Sequence, residues 1–248
     1  MSDEEIKKAI FQCHPQKAPA PDGFNAGFFH SNWNTIGDEI TKAIKLFFYF
    51  GKLIKELNHT FITLVPKTTN ASQLNDYKLI SCRNVMYKFI SKVLSNRLQM
   101  VVEELISPNQ IAFLKGSDCS LLALEIIREF NKPMGSRAFL KVDLQKAFDS
   151  VNSEFVYFIF HCMGFPSTWI NWIKECLSSP TFSVMVNGSP AGYFPSNRGI
   201  RQEDPLSPYI FVLIMEFWSI HMELAMASGM IHPIKRSPHE HLSHTLFC

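Results

Sequence analysis

From Val85 onward, Phe89, Ile90, Val93, Leu94, Leu98, Val101, Val102 and Leu105 recur at helical spacing for about five turns. A face so long and so apolar has to be covered by other elements, and this helix is therefore the axis around which a core must form. Its charges have one sign: Tyr77 to Val102 carries Lys78, Arg83, Lys88, Lys92 and Arg97 and no Asp or Glu. Such a stripe is either a solvated helix face or a surface turned toward phosphates. Bulk charge does not choose between them, because 24 Lys and Arg against 22 Asp and Glu leave only +2.

The remaining elements mix types. Ser2 followed by Glu5 is a capping-box pattern, with Ile6, Ala9, Ile10 and Cys13 on one helical face behind it. Lys17 to Gly23 is a loop, since Pro19 and Pro21 hold their neighbours extended and Asp22-Gly23 favours a turn. A second helix is predicted over Trp33 to Gly51, and Thr60 to Val65 reads as a strand ended by Pro66, with Lys67 at its exit. Ala138 to Asp143 alternates, which places Asp143 near a strand end. Glu154 to Met163 reads as a buried helix closed by Gly164, and Ser167 as the cap of another through Trp169, Trp172, Ile173 and Cys176. Phe182 to Val186 and Ala191 to Phe194 flank Asn187-Gly188, a strong hairpin signal, and helix resumes after Pro208. Strands and helices without regular βαβ alternation predict an α+β fold.

Six cysteines, at 13, 82, 119, 162, 176 and 248, form no C-x-x-C pair, so neither a zinc ribbon nor a disulfide framework is indicated, and a reducing compartment fits. The acidic start Met1 to Glu5 is unlike a signal peptide. Tyr209 to Ala227 is greasy but interrupted by Glu216, His221 and Glu223, which predicts a buried helix and no membrane partner. His239, His241, His244 and Cys248 are soft-metal ligand types in a short span, although Pro238 beside them indicates a loop.

Lys141-Val142-Asp143-Leu144-Gln145-Lys146-Ala147-Phe148-Asp149-Ser150-Val151 resembles the first palm motif of reverse transcriptases from non-LTR retrotransposons, especially plant LINE-type elements. Further blocks resemble the same family in order: Lys17 to Phe24, Leu64 to Lys67, Asp76 to Ser81, Val85 to Leu98, Ser107 to Phe113, Arg198 to Pro208 and Ser243-His244. The resemblance implies the fingers and an incomplete palm of a right-hand polymerase, without the thumb. It divides the chain into an N-terminal helical extension of the fingers (1–58), fingers (59–134) and partial palm (135–248). The family reaction is RNA-templated DNA synthesis with deoxynucleoside triphosphates, an RNA template, a DNA primer and Mg²⁺. An intracellular site, nucleus or cytoplasm, and a parent polyprotein with endonuclease and thumb segments follow from the same resemblance.

That chemistry needs two Mg²⁺ ions roughly 4 Å apart, held by hard oxygen ligands, to activate a 3′-hydroxyl and stabilise the pentavalent phosphate. By resemblance, Asp143 is the catalytic metal ligand and the Leu144 carbonyl assists it. A pair of aspartates would come next after Phe247-Cys248, which makes this chain a fragment expected to be inactive as given. Phe148 matches the aromatic gate that excludes a 2′-hydroxyl, where residue type alone would suggest a core aromatic; Asp149 reads as structural. Lys67 and Lys78 match the cations that grip the triphosphate, Gln202 lies along nucleotide and template, and Lys88, Lys92, Arg97 and Arg201 are the expected nucleic-acid contacts. A non-catalytic nucleic-acid-binding remnant and a functionless pseudogene product are the alternatives.

Several positions depart from the family pattern. Lys78 replaces Arg and loses a two-pronged guanidinium, and Leu79 replaces Pro. Ala20 and Glu203 stand where the family has Gly. If the latter glycine uses positive φ, Glu203 is strained there, and its charge repels a nearby triphosphate. Gly116 to Leu121 is shorter than the family's segment and lacks its Arg.

Overall fold

The computed structural model describes residues 1–17, 19, 22–107, 142, 144–196, 198–232, 234–237 and 240–242. The expected strand over Ala138 to Asp143 lies, Val142 apart, outside the described residues, as do Ala18, Ala20 and Pro21 of the expected Lys17 to Gly23 loop. Helices α1 (Asp3–Phe11), α2 (Ala26–Ser31) and α3 (Trp33–Phe50) precede strands β1 (His59–Pro66) and β2 (Tyr77–Arg83). Next come α4 (Val85–Leu105), the short α5 (Ala147–Ser150), α6 (Ser153–Cys162) and α7 (Ser167–Ser178). Strands β3 (Thr181–Val186) and β4 (Ser189–Pro195), helix α8 (Ser207–Ala227) and a small hairpin of β5 (Ile234–Ser237) and β6 (Glu240–Leu242) complete the order. The chain divides into two compact units, Met1–Gln99 with Phe148–Ser207, and Met100–Ala147 with Pro208–Cys248.

The first unit is built on the predicted axis. Phe89, Ile90, Val93, Leu94 and Leu98 of α4 are fully or almost fully buried, as are Ile6, Ala9 and Ile10 of α1 and Ile173 of α7. Each of the larger of these side chains contributes about 1.5–3 kcal/mol when fully removed from water. Ser2 caps α1 by accepting from the Glu5 amide at 3.2 Å. The second half of the expected capping box is absent, because the Glu5 carboxylate pairs with Arg97 at 2.6 and 2.9 Å instead. The Arg97 hydrogen bond, opposed by partial burial, holds the Glu5 carboxyl below its ordinary range. Helix α3 ends at Gly51 in the left-handed conformation, φ 65°, as a C-terminal glycine permits. Ser167 does not cap α7: it is the first helical residue, Pro166 precedes it, and no side chain caps that end.

The sheet order is β2-β1-β3-β4. Strand β1 is antiparallel to β2, with Thr60 opposite Arg83 and Pro66 opposite Tyr77. It is parallel to β3, but only from His59 opposite Thr181 to Thr63 opposite Met185. Beyond Thr63 the β1–β2 hairpin therefore runs on past β3, ladder intact as far as the Lys67 amide, which donates to the Asp76 carbonyl at 2.8 Å. The β3–β4 hairpin turns at Asn187 and Gly188, both at positive φ (50° and 81°), the geometry that Asn-Gly favours.

The second unit corrects one expectation. Helix α8 is long and apolar enough, by length and composition, to cross a membrane, and a third of its most apolar window is buried. Ile210, Phe211, Val212 and Leu213 are buried, and so are Glu216 and Ser219, whose side chains meet the Ser107 hydroxyl at 3.2 Å each. Trp218, Ile220 and Leu224 are exposed. The helix is buried along one part of its surface only, because polarity breaks in sequence do not reveal which apolar residues find a neighbour. His241, read as part of a loop, lies in β6.

Candidate nucleic-acid interface

The chemistry-bearing loop of the first unit, Arg198 to Ser207, is organised by one buried carboxylate. Asp204 is 4% exposed and accepts from Arg83 at 2.6 Å, from the Tyr87 hydroxyl at 2.8 Å, from the Leu206 amide at 3.1 Å and from the Ser91 hydroxyl. Arg83, the last residue of β2, donates its other terminal nitrogen to the Gln202 carbonyl at 3.1 Å. Burial works to raise the Asp204 pKa, but the Arg83 and Arg201 guanidiniums and the Ser91 hydrogen bond outweigh it and hold the carboxyl below its usual value. Burial likewise pushes the Tyr87 hydroxyl well up, so it stays a donor.

Arg201 belongs to the same interior. Its guanidinium lies 4.2 Å from the Tyr87 ring centroid, donates to the Cys176 carbonyl at 2.9 Å and bonds the Asn58 side chain. Asn58 in turn donates to Ser179 at 2.6 Å. The sequence offers no sign of this network, since a lone Asp and a lone Arg 121 residues apart give no hint that they pair.

The loop is locked onto α5. The Gly199 amide donates to the Val151 carbonyl at 2.8 Å and the Ile200 amide to the Phe148 carbonyl at 2.9 Å. Gly199 has φ 91°, and a Cβ there would stand 3.0 Å from the Asp149 carbonyl oxygen and 3.1 Å from its Cα. The exposed Gln202 side chain reaches the Asp149 carboxylate at 3.4 Å. A cavity of about 160 Å³ is lined by Asp149, Gly199, Gln202 and Phe182, among others. Phe148 and Gln202, expected at the nucleotide, are thus on adjoining segments.

Glu203 adopts φ 62°, the conformation suspected from the glycine that resembling sequences carry there. A β-carbon in this region costs roughly 1–2 kcal/mol. Glu203→Gly is therefore expected to raise stability by about 0.5–1 kcal/mol, the strain relieved less the extra backbone entropy of glycine. A higher urea midpoint with an unchanged slope is the reading that checks it.

The other expected residues fall into two groups. Lys78 stands opposite Val65 in the ladder and Lys67 lies two residues beyond Val65, so both fall on one face of the projecting hairpin. Lys67 donates to the Asn75 carbonyl at 2.9 Å, and Lys78 is exposed. Lys88 and Lys92 line a cavity of about 350 Å³ together with Lys17, Cys13, Arg83 and Glu203. Burial, with the Arg83 charge added, lowers the Lys88 pKa. Arg97 and Arg201, by contrast, are engaged internally: Arg97 with Glu5 and the Phe48 ring at 5.4 Å, Arg201 as above. The stripe is divided between a cationic groove and structural ion pairs.

Asp143 lies outside the described residues, and Leu144 is exposed. Among the described residues no group of three or more His, Cys, Asp or Glu is placed to hold a metal ion.

Residues 65–232 match the family described as Reverse transcriptase (RNA-dependent DNA polymerase), and the chain belongs to that family. Its relatives include proteins of non-LTR retrotransposons. It is 26% identical over 216 residues to the transposon TX1 uncharacterized 149 kDa protein of Xenopus laevis, covering 86% of this chain and 16% of that one. It is 25% identical over 202 residues to the Pol polyprotein of the type-2 retrotransposable element R2DM of Drosophila melanogaster, covering 80% and 19%. A stretch of 64 residues is 39% identical to an uncharacterized mitochondrial protein of Arabidopsis thaliana, covering 25% and 52%. The chain thus spans less than a fifth of the length of the two retroelement proteins.

Proposed function

We propose that this chain supplies the fingers and part of the palm of a right-hand polymerase in a non-LTR retrotransposon, with 1–58 as a helical extension, 59–134 as fingers and 135–248 as palm. The parent protein copies RNA into DNA from a DNA primer. The observation that carries the reading is the lock between Gly199–Gln202 and Phe148–Asp149, which brings together two family segments 53 residues apart. Gln202 and Phe148 then face the incoming deoxynucleotide, Lys67 and Lys78 its triphosphate, and Lys88 and Lys92 the phosphates of the template-primer hybrid. Reverse transcriptases use divalent metal ions, and Asp143 with the Leu144 carbonyl is the proposed Mg²⁺ contact within this chain. The plant likeness over 64 residues is in keeping with a plant LINE-type lineage.

Hybrid binding is the direct test. Affinity of the purified chain for an RNA·DNA duplex is expected to fall linearly with salt on logarithmic axes, at about 0.9 per phosphate neutralised. Replacing both Lys88 and Lys92 with Ala reduces that slope by nearly two; binding that ignores salt, or these substitutions, would remove the reading. Because a polypeptide of these 248 residues includes only Asp143 of the expected metal-binding aspartates, it is expected to bind the hybrid without extending the primer. Template-dependent extension in Mg²⁺ or Mn²⁺ would overturn that part.

A further inference from the structure

We propose that Arg83, gripping Asp204 and the Gln202 carbonyl at once, is the residue that aims Gln202 at the nucleotide and template; this rests on the role given to Gln202 above. The arc Gln202–Glu203–Asp204 has its middle residue in the left-handed region, so its two ends do not hold their relative positions by backbone preference alone. Arg83 bridges them. Its two terminal nitrogens reach Asp204 at 2.6 Å and the Gln202 carbonyl at 3.1 Å, while the side chain is 2% exposed at the end of β2. A planar fork holds two acceptors at a fixed separation through separate nitrogens, whereas an ammonium carries its three donors on one nitrogen at the end of a flexible stem and fixes no such separation.

The far side of the same arc is where the Gln202 side chain emerges toward Asp149 at 3.4 Å. Tyr87 and Ser91 hold Asp204 but make no bond to Gln202, so they fix one end only. Arg83 is therefore a positioning residue: buried, it acts through the Gln202 carbonyl, and the direction of Gln202 depends on it. Nothing in the sequence motifs marks it, since it lies between the block at Asp76 to Ser81 and the helix from Val85.

The test combines Arg83→Lys, which keeps the charge, with Gln202→Ala. In the free protein, hydrogen exchange of the Asp204, Leu206 and Ser207 amides is expected to quicken about tenfold in R83K, the loss of one or two hydrogen bonds. Hybrid affinity is expected to drop about fivefold in Q202A, and the double variant to lie within about twofold of Q202A alone. Tyr87→Phe is expected to leave hybrid affinity unchanged, a separation that a purely structural role for Arg83 would not produce. Unchanged exchange in R83K, or losses from R83K and Q202A that add independently, would overturn the proposal. A neutral Q202A beside quickened exchange in R83K would instead overturn the role of Gln202 and support Arg83's hold on the arc. Should R83K fail to fold, Arg83→Gln, which retains one donor group, is measured in the same way.

Discussion

Asp204→Asn is expected to destabilise the protein by about 3–5 kcal/mol, the largest effect of any single substitution considered, because it strands buried cations without their counter-charge. Arg83 is 2% exposed and Arg201 8% exposed, and Asp204 is the acid that lowers the charging cost of both. An asparagine keeps the shape and one acceptor but not the charge. Urea unfolding measures the loss as a lower midpoint. The pH dependence supplies an independent reading. Since the folded state holds the Asp204 carboxyl below its usual value, its contribution is complete above the unfolded pKa of about 3.9 and disappears as the pH falls through the folded value. Wild-type protein should lose this increment on acidification, and D204N, having none, should show a flatter stability profile below about pH 4. A profile unchanged by the substitution would mean that Asp204 does not carry the charge in the folded protein.

Gly199→Ala is the second large effect, at about 2–4 kcal/mol, from left-handed strain and overpacking together. The neighbours of the added methyl are backbone atoms of Phe148 and Asp149, at 3.0–3.2 Å, which have no rotamer to move into. The turn carrying Phe148 must shift instead. The expected signature is a lower melting temperature together with weaker hybrid binding in whatever fraction remains folded. A melting temperature within a degree or two of wild type would show that the loop and α5 are not in contact as described.

The parts of this molecule legible in its sequence are those with local causes. The α4 periodicity, the glycine ending α3 and the Asn-Gly hairpin each depend on residues within a turn or two, and each is found where expected. Strand β2 is different: Lys78 and Leu79 are both exposed, so Tyr77–Arg83 shows no clean alternation to mark it as a strand. The β5–β6 hairpin was hidden by Pro238, which reads as a loop whether or not strands flank it. For the candidate site, resemblance singled out Phe148 and Gln202 and the suspect Glu203, of which the positive φ of Glu203 is observed, while the burial of Arg201 and the Arg83–Asp204 pair depended on long-range packing that no single residue type announces. Asp143 falls outside the described residues.

The parallel pairing of β1 with β3 also sets a timetable for the chain as it is made. His59 and its partner Thr181 are 122 residues apart, so a ribosome adding about 5–20 residues per second releases β1 on the order of ten seconds before its neighbour exists. Until then the β1–β2 hairpin has an open strand edge, a surface on which other nascent chains can add. A chaperone that covers this edge during synthesis is therefore expected to raise how much of this protein a cell recovers in soluble form.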